Sequence, residues 1–161
     1  MVTMADRFRE HEVEHPDRFA EILVVCPQCA DVASIIPKPK PGSEENQRVT
    51  QRVSCGHCGY QAEETSQGYQ SGSSRQPTDP YFGLPLWLQR PFGDNVFWAY
   101  NLDHLDFIEA FIRARLRERR QGEHGWSNSG MVSRFPKWLK AGGNREKLLA
   151  AIKKLRSLVT Y

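Results

Sequence analysis

The chain has 161 residues, of which 39% are apolar and 25% charged, with a formal net charge of +3. That is enough for one domain or two small ones, wet for a globular protein but not disordered in bulk. No apolar run approaches the roughly 20 residues of a membrane span, and the acidic stretch 1–14 lacks the apolar centre of an export signal, so a cytoplasmic protein without a membrane partner is expected.

In chain order, residues 5–20 are polar with scattered Phe8, Val13 and Phe19, and read as a weak helix broken near Pro16. Residues 21–25 are β-branched, run into Cys26 and predict a strand, with residues 33–36 as its hairpin partner. Residues 37–47 hold three prolines and a glycine, which predicts a loop. Residues 48–55 alternate: Val49, Gln51 and Val53 fall on one face, Thr50, Arg52 and Ser54 on the other. Residues 60–62 can return beside them. Residues 64–80 are rich in Ser, Gly and Gln and read as a linker.

Residues 84–89 and 96–100 are short apolar runs around Pro91, Gly93, Asp94 and Asn95, the punctuation of a hairpin. Asn101 is placed to cap a helix over 102–120, in which Leu105, Ile108, Ile112 and Leu116 form one stripe and Phe107, Phe111 and Ala114 a second. Two stripes need cover on two sides, and the hairpin is expected to supply one of them. Gly122 is the expected terminator, and 121–131 a loop. Ser133 can cap a short helix through Trp138, ended at Gly142 and Gly143. Asn144 can cap a last helix whose buried face is Leu148, Ile152, Leu155 and Val159.

The four cysteines form two C-x-x-C units, Cys26-Pro27-Gln28-Cys29 and Cys55-Gly56-His57-Cys58, separated by 25 residues. Two thiolates on a tight turn grip one ion, and a second such turn completes a tetrahedron. Soft sulfur in a four-coordinate site selects zinc, with iron as the competitor. Two redox dithiols are the alternative, without the βαβ pattern that would support them. Four protein ligands leave no open position for catalysis, so a structural Zn2+ is expected. Gly59 follows the second unit, whereas Ala30 stands at the matching position of the first. His57 can replace a cysteine but reads better as a solvent-facing loop residue.

These cysteines and their flanking strands resemble a zinc ribbon of the transcription-factor-IIB type over residues 20–63. Further on, Leu86-Trp87-Leu88-Gln89, Trp98-Ala99-Tyr100-Asn101, His104-Leu105 and Ser133-Arg134-Phe135-Pro136-Lys137-Trp138 resemble uncharacterised bacterial zinc-ribbon proteins. The resemblance implies zinc and a bacterial source, and carries no reaction with it.

Residues 1–111 carry 9 Lys/Arg against 16 Asp/Glu, a net of −7, and residues 112–161 carry 13 against 3, a net of +10. A basic third is an electrostatic footprint for DNA or RNA, or for an acidic protein; docking on the acidic remainder, or a solvated face, are the alternatives. On a helix through residue 120, Arg113, Arg117 and Arg120 would share a face able to track phosphates, with Arg115 and Arg119 on another. Arg134, Lys137, Lys140 and Arg145 are interleaved with Trp126, Phe135 and Trp138, a pattern that suits single-stranded nucleic acid if the rings are not simply core. His104, beside Asp103 and Asp106, fits a capping or surface residue better than a general base or a metal ligand.

The sequence therefore predicts an α+β protein: a polar segment over 1–19, a zinc ribbon over 20–63, a linker over 64–80, and a hairpin with two to three helices over 81–161. The expected function is a non-enzymatic, zinc-stabilised binding protein associated with nucleic acid. An adaptor whose ribbon docks on a larger complex is the second reading, and an enzyme with a site within 84–140 a third.

Overall fold

The computed structural model describes residues 7–9, 21–38, 49–66, 76–114, 116–118, 121–122, 125–126 and 135–159. Strands and helices are mixed, as an α+β fold requires, in two compact units. One spans residues 17–102; the other joins 103–161 to the N-terminal segment 1–16. Among the described residues no helix is long and apolar enough to cross a membrane.

The first unit is built on a four-stranded antiparallel meander, β2 (Ile22–Val25), β3 (Val32–Lys38), β4 (Val49–Ser54) and β5 (Gln61–Ser66), in sequential order. Period-two burial drives it. Ile22, Val24, Ile35 and Val53 are at most 1% exposed, while Arg52 between Gln51 and Val53 points outward to pair with Glu63 across the strand. Leu86 and Tyr100 complete that core from outside the meander.

The outer edge of β2 is sealed by chain from further along. Val25 N–H donates to Pro85 O, Trp87 N–H to Leu23 O, and Leu23 N–H to Tyr100 O, at 2.8–2.9 Å. Asn101 Nδ2 donates to Glu21 O at 2.8 Å. The sheet is followed by the hairpin β6 (Leu88–Phe92) and β7 (Asn95–Ala99). Its two-residue loop places Gly93 first, at φ +58, where a type II′ turn needs glycine.

This arrangement corrects two expectations. β3 runs to Lys38 and β5 to Ser66, so neither 37–38 nor 64–66 is loop or linker. Residues 76–80 are also tied down: Leu86 N–H reaches Pro77 O, Thr78 bridges to Pro85, and Asp79 is buried. Residues 67–75 lie outside the described set. The hairpin therefore belongs with the ribbon's unit and not, as its position in the chain suggested, with the helical part.

In the second unit α1 (Leu102–Arg113) buries His104, Leu105, Phe107, Ile108, Phe111 and Ile112. Both apolar stripes are thus used, and His104 is a core residue at 4% exposure and not a surface one. Phe135 stands edge-on to Phe107 and Phe111, with centroids 6.3 and 5.2 Å away. The helix stops at Arg113 and not at residue 120. Beyond it, β8 (Leu116–Glu118) pairs in parallel with β1 (Arg7–Arg9), where a weak helix was expected. The stretch 113–119 alternates Arg with Ala, Leu and Glu, a strand period, and on a helix it would stack like charges at i, i+4. Gly122 sits in β9 (Gln121–Gly122), which pairs with β10 (Gly125–Trp126), instead of ending a helix.

Then come α2 (Lys137–Lys140), a 3-10 turn over Gly142–Asn144, and α3 (Arg145–Ser157). Ser133 lies outside the described residues, and α2 begins after Pro136, whose fixed φ suits that place. Asn144 precedes α3 without capping it; its Nδ2 donates to Trp138 O at 2.9 Å and fastens the turn instead. α3 buries Leu148, Ala151, Ile152 and Leu155. From its polar side, Arg156 pairs with both Asp106 and Glu109 of α1, and Arg145 donates to Ala114 O at 3.2 Å.

Candidate metal centre

Cys26 and Cys29 occupy the turn between β2 and β3, and Cys55 and Cys58 the turn between β4 and β5. Because β3 and β4 are neighbours, the two hairpin ends lie side by side and their cysteines face each other. The two turns are built alike. Ala30 N–H donates to Cys26 O at 2.9 Å and Gly59 N–H to Cys55 O at 3.0 Å; Cys26 N–H reaches Asp31 O and Cys55 N–H reaches Tyr60 O.

The four sulfurs lie within 4.8 Å of one another. Cys26 Sγ is 3.7 Å from Cys58 Sγ, and Cys29 Sγ is 3.6 Å from Cys55 Sγ. A tetrahedron with metal–sulfur bonds of about 2.3 Å has sulfur–sulfur edges of about 3.8 Å, so the cluster has the dimensions of a four-thiolate cage. All four cysteines are free thiols. Cys26 and Cys55 are buried on the core side, while Cys29 and Cys58 are half-buried. Gln28 N–H lies 3.4 Å from Cys26 Sγ and favours the thiolate there.

The thiols do not ionise alike. Burial raises Cys26, but the amides of Cys29 and Gln28 and the neighbouring sulfurs outweigh it and bring the thiol down to about 7. At Cys29 the Asp31 amide lowers the value, but burial and the sulfurs of Cys58, Cys55 and Cys26 together push it up to about 12. Cys58 is raised too: the amide of Tyr60 and the sulfur of Cys29 lower it, but burial and the sulfurs of Cys26 and Cys55 prevail. Such a cage resists carrying several negative charges unless a cation enters it.

His57 is an exposed loop residue, with Nδ1 3.5 Å from Asp31 Oδ2, and it is not in the sulfur cluster. This link between the two turns was not read from the sequence, because it requires knowing that the turns lie side by side.

Ala30 has φ +62, the left-handed region, and Gly59 at the equivalent position has φ +79. The left-handed conformation costs a non-glycine residue about 1–2 kcal/mol, part of which glycine forfeits through its freer unfolded chain. Ala30→Gly is therefore expected to stabilise the metal-loaded protein by about 0.5 kcal/mol. Gly59→Ala, where an added Cβ meets nothing within 4 Å, is expected to destabilise it by the same amount, about 0.5 kcal/mol. Paired thermal melts of the two variants check both signs.

Of the basic residues expected to form a site, those described are spread over different elements. Arg113 is exposed and ion-paired with Glu109 at 2.9 Å. Arg117 lies in β8, so it does not share a helix face with Arg113. Its side chain, with Arg120 and Arg134, falls outside the described residues. Lys137 is exposed and Lys140 half-buried on α2. Phe135 is engaged by the core rings, which removes it as a stacking platform.

No family model, no curated protein and no solved structure matches this chain.

Proposed function

We propose that the four-cysteine cage is a structural zinc site of the ribbon type, and that the chain is a non-enzymatic binding protein associated with nucleic acid through its basic unit. The observation that carries the zinc reading is the sulfur cluster, with edges of 3.6 and 3.7 Å and all four thiols committed to one centre. Soft, four-coordinate thiolate cages suit zinc, and a closed set of four ligands serves folding better than catalysis. When bound, zinc supplies the charge that lets the thiolates coexist. This chain's own residues supply the cage, the backbone amides that favour its thiolates, and the hydrophobic floor beneath it. The nucleic-acid reading rests on the net charge of +10 over residues 112–161.

Zinc must displace the protons that Cys29 and Cys58 hold at neutral pH. Affinity therefore rises with pH. Above pH 7 at least two protons leave per ion, so the zinc association constant should rise at least about 100-fold per pH unit. Below pH 7, where Cys26 is protonated as well, the dependence steepens by a further factor of about ten per unit. Competition with a chromophoric chelator across pH 6–8 measures this. A pH-independent constant rejects thiolate ligation. For the binding function, the protein is recovered from cells with and without nuclease. Nucleic acid in the untreated sample, and partners lost on treatment, support it. Partners that survive nuclease favour a protein-docking adaptor.

A further inference from the structure

The helix α3 carries an exposed basic face that makes no ion pair among the described residues. Leu148, Ala151, Ile152 and Leu155 define its buried side. On the opposite side Lys147, Ala150, Lys153, Lys154 and Ser157 are exposed. Ala150 lies at the centre of this face: Lys147 is three residues before it, Lys153 and Lys154 three and four after it. On a helix these are its immediate neighbours, with Cβ atoms about 5–6 Å away. Three long cationic stems thus surround a methyl group, leaving a shallow place over which their ammonium groups can converge. Glu146, four residues before Ala150, is the one acid in the same neighbourhood and leaves the group with a net charge of +2. Ser157 turns its hydroxyl back to Lys154 O, so it adds no competing group.

We propose that Lys147, Lys153 and Lys154 form a clasp for the phosphodiester backbone of a nucleic acid, seated over Ala150. The proposal rests on the nucleic-acid reading above and gives it a surface. Where the described part of this unit engages carboxylates, it does so with arginine: Arg156 on Asp106 and Glu109, and Arg113 on Glu109. The planar guanidinium matches the carboxylate fork. The clasp is made of lysine, which also binds phosphate, as a compact point charge that does not need the coplanar approach of a fork. Lys147 and Lys154 are seven residues apart, about 10 Å along the helix, so neighbouring phosphates can be held at once. Nothing in the clasp reads bases, so binding should be indifferent to sequence.

The test uses the full-length, metal-loaded protein with fluorescently labelled single-stranded DNA, duplex DNA and single-stranded RNA of mixed sequence, and polyglutamate as an acidic-protein probe. Titrations are run from 20 to 200 mM salt. Three neutralised phosphates contribute about −2 to the log–log salt slope on single strands and about −3 on duplex. The triple variant K147Q/K153Q/K154Q should lose that much slope and bind on the order of 100-fold more weakly at 50 mM salt. The variant K147R/K153R/K154R should retain binding. Unchanged zinc content and circular dichroism in both variants separate loss of charge from loss of fold. The three nucleic-acid arms show which form is preferred. If the glutamine variant binds with unchanged slope, the clasp is overturned while the nucleic-acid reading stands. If the wild-type protein binds none of the nucleic acids at 20 mM salt, both fall. Preferential binding of polyglutamate overturns the clasp in favour of an acidic protein partner.

Discussion

Removing the metal, or replacing any one of Cys26, Cys29, Cys55 and Cys58 by serine, is expected to unfold the unit over residues 17–102. Cys26 and Cys55 belong to the same buried cluster as Ile22, Val24, Ile35, Val53, Leu86 and Tyr100. That cluster is small, and a domain of this size has only about 5–15 kcal/mol of net stability. Structural zinc sites contribute about 10–16 kcal/mol of apparent binding free energy, which in such a domain is folding free energy. A serine variant replaces one soft thiolate by a hard hydroxyl oxygen, which is a poor ligand in such a site, so much of the metal's binding energy is lost. The expected readouts are one zinc per chain in the wild-type protein by elemental analysis, loss of the near-ultraviolet signal of the Trp98–Tyr100 edge-to-face pair on chelation, and recovery on adding zinc. A metal-free protein that keeps this signal would reject the metal as the fastener.

The second large effect is expected at Asp79. Its carboxylate is 2% exposed and accepts three backbone hydrogen bonds, from Tyr81 and Phe82 N–H on Oδ1 at 2.8 and 2.7 Å and from Leu84 N–H on Oδ2 at 2.6 Å. Asp79 N–H in turn donates to Leu84 O at 2.9 Å, which closes the loop on itself. Tyr81, Phe82 and Leu84 pack against the buried cluster that includes Cys26 and Cys55, so this carboxylate holds part of that cluster's cover in place. Hydrogen bonds to a charged acceptor contribute about 1.5–3 kcal/mol each, and amides left without a partner add their own cost. Asp79→Ala should destabilise the protein by about 3–4 kcal/mol, with the amides at the half-buried residues partly recovered by water. Asp79→Asn keeps the Oδ1 acceptor but turns an NH2 group toward the Leu84 N–H, and should cost about 2 kcal/mol. Chemical denaturation of the zinc-loaded variants gives the order wild type, Asn, Ala. Equal stability of all three would remove Asp79 from this role.

The metal centre was legible because its signal is local. Two cysteines three residues apart announce a turn, and strands on either side announce hairpins, so Cys26, Cys29, Cys55 and Cys58 could be grouped without a fold. The alternation around Gln51 and Val53 was equally plain, since period-two burial is a property of the strand itself. Ala30 stood out in the sequence as a residue where glycine was expected, and its positive φ shows why glycine is the natural occupant.

What was missed depended on partners far along the chain. Residues 64–80 look like a linker by composition, yet Asp79 and the bridge at Thr78 belong to the folded unit. Asp79-Pro80 followed by Gly83 is a turn signal that outweighs composition, and it could have been read. The helix was extended past Arg113 because Leu116 continued an apolar stripe, although Leu116 also fits the alternation of a strand. Arg156 bridging to Asp106 and Glu109 lies beyond sequence reasoning altogether, as no spacing rule joins residues about fifty positions apart.

The twinned turns have a consequence for the order of events in folding. Each hairpin contains both of its cysteines, so each half of the cage is complete once a purely local structure has formed, an event of about 1–10 μs. The halves are then brought together by pairing β3 with β4, across a connection of ten residues from 39 to 48. Closing a loop of that length takes about 10–100 ns, so the search for the partner half is brief. Neither hairpin waits for the other to sample its local structure. The slow variable in maturation is then the arrival of metal, and newly made chains would remain unfolded over this unit, with the hairpins forming only transiently, whenever its supply falls behind synthesis.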